Sequence, residues 1–68
     1  MFRVDSKQIR ALLFKHRLSV KEFADRCDLN FFTASKITRE GARTNAKTLA
    51  KVAAAFGVDA ERLLEAER

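Results

Sequence analysis

The sequence contains no proline, two glycines, one cysteine and one histidine. The absence of proline and the scarcity of glycine favour an all-helical fold, because these two residues interrupt helices most strongly. A single cysteine excludes an internal disulfide, and one histidine beside one cysteine excludes a metal cluster built from these ligands. We therefore expect a reducing, cytoplasmic environment and a domain without metal or other cofactor.

Long apolar runs are also missing. No stretch approaches the roughly 20 apolar residues that a membrane span requires, and residues 1–4 are too short for a signal peptide. The 68 residues suffice for one small domain, 1–68, in which residues 1–5 are predicted to form an extended arm or a short strand. Because so short a chain leaves no room for a deep cleft beside its core, we do not expect an enzyme.

The charge is positive and unevenly distributed. The chain carries 14 Lys and Arg against 9 Asp and Glu, a formal net charge of +5. Residues 29–56 contribute +4, from five basic residues against Glu40, whereas residues 57–68 contribute −2. A basic middle favours a polyanionic partner, and the acidic end would face away from it. The alternative interpretation is a basic, solvated surface without a nucleic-acid partner.

Apolar spacing and helix caps together predict five helices, near 6–16, 20–27, 31–39, 46–56 and 60–66. In the first helix one apolar stripe at positions i, i+3, i+4 and i+7 comprises Ile9, Leu12, Leu13 and His16. The same spacing recurs in the fourth helix with Leu49, Val52, Ala53 and Phe56. Asn45 is the favoured cap of the fourth helix, and Asp59 is that of the fifth.

Residues 19–41 predict two short helices joined by a tight turn. Ser19 followed three residues later by Glu22 is the pattern of a capping box, in which each side chain satisfies a free backbone N–H of the other residue. Residues 28–30 form the break, because Asp tolerates the left-handed conformation of a tight turn and Asn30 is a strong N-cap.

The second helix of this pair carries apolar residues on one side only. Ala34 and Ile37 are spaced for burial, which leaves the other faces of the helix to solvent. Two helices joined by so short a turn cross steeply, and the second can then project from the body of the domain. This is the geometry of a helix offered to the major groove of DNA.

The order of these segments resembles the lambda-repressor-like helix-turn-helix domains, the Cro/Xre family of phage and bacterial regulators. The resemblance covers about residues 6–65. It rests on Leu-Ser-x-x-Glu-Phe-Ala at 18–24, Ile-x-x-x-Gly at 37–41 and Ala-x-Ala-Phe-Gly-Val at 53–58. It implies an all-α, compact five-helix lambda-repressor-like domain whose helices 2 and 3 form the helix-turn-helix. It also implies double-stranded DNA as the partner and a homodimer, at least on DNA.

The resemblance further implies which residues would meet DNA. With 31–39 as the recognition helix, the base-reading positions fall on Phe31, Phe32, Thr33, Ser35 and Lys36. The phosphate-binding positions fall on Ser19, Lys21, Asn30, Arg39, Arg43, Thr44, Asn45 and Lys47. The chemistry agrees, because a lysine can donate to guanine O6 and N7 and an aromatic ring can pack on a thymine methyl group.

The chain also departs from the family pattern at several positions. Val20 stands where many members have a glutamine that contacts the DNA backbone, and Asp28 stands where the turn glycine is expected. Members often pair an arginine in the first helix with a glutamate near the end of the recognition helix. Here these positions are Leu13 and Thr38, so both partners have changed together, and we predict that Leu13 packs towards Thr38.

Two functions remain open at this point. The first is a sequence-specific, double-stranded DNA-binding transcriptional regulator, of the kind found as repressors in phages and mobile elements. The alternative is a protein-interaction module of the same fold, antitoxin-like or regulator-binding, that inserts Phe31 and Phe32 into a partner, because an exposed aromatic pair often marks a protein contact. In either case we expect control to come from a protein partner, from concentration or from proteolysis.

Overall fold

The computed structural model describes residues 1–65 and contains, within them, four α-helices and one two-stranded sheet. In chain order the elements are β1 (Phe2–Arg3), α1 (Ser6–His16), α2 (Val20–Cys27), α3 (Phe31–Ile37), β2 (Arg43–Thr44), α4 (Ala46–Phe56) and a 3₁₀ helix (Ala60–Leu63). The bounds of α1, α2 and α4 agree with those predicted from the sequence, whereas α3 ends two residues before the predicted 39.

The predicted fold class is wrong. The chain is mostly helical, but it is not an all-α, five-helix lambda-repressor-like domain, because the fifth helix is replaced by one 3₁₀ turn and a small sheet is present. Asp59 does cap this turn, and its carboxylate accepts the N–H of Glu61 at 3.1 Å. Leu64 already has extended backbone angles (φ −93°, ψ 138°), and residue 66 of the predicted helix lies outside the described residues.

Backbone pairing with the start of the chain explains why the fifth helix does not form. Strand β1 pairs antiparallel with β2, with Arg3 opposite Arg43. On its other edge, the N–H of Asp5 donates to the Leu63 carbonyl at 2.8 Å, and the N–H of Glu65 donates to the Arg3 carbonyl at 3.0 Å. The Leu63 carbonyl and the Glu65 N–H, which a helix would use for its own hydrogen bonds, are therefore bonded to the start of the chain. Residues 2–5, β2 and residues 63–65 together form a three-segment layer with β1 in the middle. Of the two expected forms of residues 1–5, the short strand is the one present.

The core lies where the helices meet this layer. Its largest fully buried side chains are Phe23, Ile9, Ile37, Leu63, Val4 and Val52. Val4 and Leu63 belong to the layer, so the sheet contributes apolar side chains to the same core as the helices. Burying each such side chain stabilises the fold by about 1.5–3 kcal/mol.

An aromatic cluster covers the ends of α1 and α2. The ring of Phe56 lies 5.0 Å from that of His16 and 5.8 Å from that of Phe23, between ring centroids. The guanidinium carbon of Arg26 lies 5.2 Å from the Phe56 centroid, which is within the range of a cation–π contact. His16 thus packs against Phe56, as expected for a residue of the apolar stripe of α1.

The C-terminal end of α1 contains a strained residue that can be tested. Arg17 has φ 54° and ψ 48°, a left-handed conformation that is unfavourable for a residue with a Cβ atom. We expect Arg17→Gly to raise the free energy of unfolding by about 0.5–1 kcal/mol, because glycine adopts this conformation without strain. Urea denaturation measures the change. Arg17→Ala is the control, since it removes the same side chain but keeps the strain; an equal gain in both variants would contradict the explanation.

Candidate nucleic-acid interface

The segment from α2 to α3 is held by side-chain caps at both helix starts. Ser19 and Glu22 form the predicted capping box: the Glu22 carboxylate accepts the Ser19 N–H at 2.8 Å, and the Ser19 hydroxyl accepts the Glu22 N–H at 3.1 Å. The hydrogen bond from the Ser19 backbone N–H to the carboxylate favours the charged form and is the main cause that lowers the pKa of Glu22. At the start of α3, the Asn30 side-chain oxygen accepts the N–H of Thr33 at 2.8 Å. Both predicted caps are confirmed.

The turn between these helices depends on Asp28. Its backbone has φ 56° and ψ 45°, so it occupies the left-handed position that a glycine would otherwise fill. Lys51 of α4 donates from Nζ to the Asp28 carbonyl at 3.1 Å, and the same Nζ lies 3.8 Å from the carboxylate oxygen Oδ2. Because the Asp28 side chain is almost fully exposed, the hydrogen bond at the end of α2 is the more significant of the two contacts.

Helix α3 presents two chemically different faces. Ala34 and Ile37 are fully buried and fix the helix to the core, as their spacing predicts. At the start of the helix, the exposed fractions of Phe31 and Phe32 are 59% and 73%. The three remaining base-reading candidates are half-buried: Thr33, Ser35 and Lys36. The five candidates therefore lie on the part of α3 that the core leaves uncovered, with the two phenylalanines most accessible.

Most of the predicted phosphate-binding residues also lie at the surface. The exposed ones are Ser19, Lys21, Asn30, Arg39, Arg43, Asn45 and Lys47. Thr44 is the exception, because it is only 6% exposed and lies opposite Phe2 in the sheet. Its side chain is not available to a phosphate, and we remove Thr44 from the set. The sequence pattern could not indicate this, because it gave no sign that residues 43–44 would pair with β1.

Sequence reasoning missed the contact that ends α3. Arg10 of α1 donates from Nη1 to the backbone carbonyl of Thr38 at 2.9 Å. The Thr38 hydroxyl in turn donates to the Ser35 carbonyl at 2.6 Å. A cation at a helix C-terminus is favourable, because the last carbonyl groups carry partial negative charge. The predicted packing of Leu13 towards Thr38 stays a prediction, whereas Arg10, three residues earlier, supplies a link between α1 and α3.

The described residues 1–65 do not contain a group of three or more His, Cys, Asp and Glu side chains that could hold a metal ion. Cys27 is 3% exposed and lies in the core, and burial raises the pKa of its thiol to about 11. The thiol is thus protonated at neutral pH and is a poor nucleophile. None of the helices in this part of the chain is both long and apolar enough to cross a membrane.

No protein-family model matches the chain, and neither the curated proteins nor the solved structures that were compared with it gave a match. The resemblance to the Cro/Xre family therefore rests on the residues quoted above and on nothing else.

The bond from Arg10 to the end of α3 generates a prediction. Arg10→Gln should lower the free energy of unfolding by about 1 kcal/mol, because the Thr38 carbonyl loses a charged donor. Amide hydrogen exchange should accelerate in residues 35–39 more than in α2. Lys7→Gln is the matched control, since it removes an exposed positive charge from the same helix. If both variants lost the same stability, net charge rather than this hydrogen bond would be responsible.

Proposed function

We propose that this chain is a sequence-specific, double-stranded DNA-binding transcriptional regulator of the Cro/Xre type that reads the major groove with α3. The proposal keeps the function implied by the sequence motifs, although the five-helix fold that accompanied it is wrong. Such a regulator would act in the cytoplasm, at the bacterial nucleoid.

The observation that carries the proposal is the placement of α3. Ala34 and Ile37 anchor one face in the core, caps fix the start of the helix, and Arg10 binds its end. The outer face is left in solvent on a chain whose residues 29–56 carry a net charge of +4. An anchored helix with an exposed outer face, in a basic segment of the chain, suits major-groove recognition, since the duplex is a polyanion whose major groove admits one helix.

The side chains on this surface suit two different tasks. Lys36 can donate to guanine O6 and N7, Thr33 and Ser35 can bond to either type of base, and Phe32 can pack on a thymine methyl group. The exposed cations beyond α3, Arg39, Arg43 and Lys47, would neutralise phosphates and fix the register of the helix. The resemblance further favours a homodimer on DNA, with half-sites about 34 Å apart.

One observation favours a second function. Phe31 and Phe32 are adjacent and are both more than half exposed, so they present a large apolar area at the start of α3. Buried aromatic side chains are typical anchors of protein interfaces. Under the second proposal, these rings bind in an apolar groove of a partner protein, in the manner of an antitoxin or a regulator-binding protein.

Selection from a randomised duplex pool separates the two functions. The purified protein is incubated with the pool at two salt concentrations, and the retained DNA is sequenced. For a DNA-binding regulator we expect an enriched palindrome and a retention that falls steeply as salt rises, because phosphate contacts release counterions. Retention without an enriched sequence would contradict specific recognition. No retention at low salt would contradict DNA binding and favour the protein partner.

Two substitutions distinguish base reading from phosphate binding. Lys36→Ala should weaken binding to the selected sequence by about 1–3 kcal/mol and affect unrelated duplexes less, because a base contact is lost. Arg43→Ala should weaken binding to all duplexes alike and reduce the salt slope by about 1. Fluorescence anisotropy over a salt series measures both effects. Equal losses on all sequences for both variants would remove Lys36 from the base-reading set.

A further inference from the structure

The three-segment layer aligns three charged side chains in one row. Arg3 lies opposite Arg43 of β2 on one edge of β1. On the other edge Val4 is bridged to Leu64 in antiparallel register, and the Glu65 N–H donates to the Arg3 carbonyl. The same register therefore places Glu65 opposite Arg3. Directly opposed residues project to the same face of a layer, so the row runs Arg43, Arg3, Glu65.

The two arginines are close neighbours. The N–H of Val4 donates to the carbonyl of Ala42, which lies directly opposite, at 2.9 Å. Bonded and non-bonded pairs alternate along an antiparallel ladder, so the next pair, Arg3 and Arg43, is a non-hydrogen-bonded pair. In such pairs the Cα atoms are about 4.5 Å apart and the side chains are closer than in bonded pairs. Both arginines are exposed, and like charges so placed destabilise a sheet.

Glu65 compensates this repulsion only weakly. The Arg3 Nε lies 3.8 Å from the Glu65 Oε2, and the two side chains are 47% and 42% exposed. An ion pair with this separation and exposure contributes little stability. Arg3 thus lies between the cation of Arg43 and the anion of Glu65. It is paired only weakly with Glu65, and its side chain is accessible to solvent.

We propose that Arg3 and Arg43 together bind the phosphate backbone of DNA, and that Glu65 competes with phosphate for Arg3. This inference rests on the proposed DNA-binding function and adds a residue of the N-terminal strand to its contacts. A phosphate between the arginines removes their repulsion, which is a gain that an isolated lysine or arginine does not provide.

Glu65 has the opposite effect on the same site. Its carboxylate occupies one side of Arg3 and repels an approaching phosphate, so it lowers the affinity for every sequence alike. Because the N–H of Glu65 is bonded to the Arg3 carbonyl, the carboxylate is held next to Arg3 by the backbone. The affinity of the site thus depends on Glu65, an acidic residue that is not counted when only the basic side chains around α3 are considered.

The test measures binding to a duplex without a selected site, over a salt series, for five single variants, one of which is Arg43→Gln. Arg3→Gln should weaken binding several-fold and make the slope of log K against log salt less steep by about 0.9, the value for one phosphate contact. Glu65→Gln should strengthen binding several-fold. Arg62→Gln is the matched control for Arg3→Gln, and Glu61→Gln is that for Glu65→Gln. Each control makes the same change in net charge on the exposed surface of the 3₁₀ helix and should have a smaller effect.

A double-mutant cycle and thermal unfolding complete the design. If Glu65 acts through Arg3, Glu65→Gln should give a smaller gain in the Arg3→Gln background than in the natural chain. A melting temperature no lower than that of the natural chain excludes a folding defect as the cause. An Arg3→Gln variant that binds like Arg62→Gln, while Arg43→Gln still weakens binding, overturns this inference and leaves the proposed function standing. A natural chain that binds no duplex at low salt overturns both.

Discussion

Backbone hydrogen bonds on the two edges of β1 hold both ends of the described chain against its middle. On one edge the N–H of Val4 binds the Ala42 carbonyl, and on the other the N–H of Asp5 binds the Leu63 carbonyl. A strand of two residues cannot persist alone, so these bonds depend on the burial of Val4 and Leu63 in the helical core. These hydrogen bonds also hold the loop between α3 and α4, and they therefore fix the direction in which the Arg43 side chain projects.

Apolar spacing, joined in α2 and α4 by side-chain caps, was sufficient to predict three of the four helices at their observed bounds, although α1 has no side-chain cap. Ser19, Asn30 and Asn45 each bind an N–H three residues later, so the signal and its effect lie within one helical turn. The helix predicted at residues 60–66 was wrong because its formation is not decided within one helical turn. Whether Leu64 continues a helix depends on β1, some 60 residues earlier, and local propensity contains no information about that partner.

For the candidate site, too, the sequence predicted some features and could not predict others. The periodicity of Ala34 and Ile37 was enough to show which residues of α3 would be buried. It could not show that Thr44 would be covered, or that Lys51 and Arg10 would bind carbonyl groups at the ends of α2 and α3. The sequence does not distinguish a basic residue that is free to bind phosphate from one that binds carbonyl groups at a helix end. Only the packing of α1 and α4 against α2 and α3 distinguishes these two roles.

The asparagine caps have a consequence for the relation between folding and binding. In Asn30 and Asn45 the amide oxygen accepts a backbone N–H, so the NH₂ group of the same side chain is left to face outward. In each side chain the amide oxygen therefore caps the helix, and the NH₂ group can only donate hydrogen bonds to a molecule at the surface. Aspartate at either position would keep the oxygen and hence the helix start, but it would replace the outward donor by a negative charge. Stability and anion affinity can thus change independently at a single position.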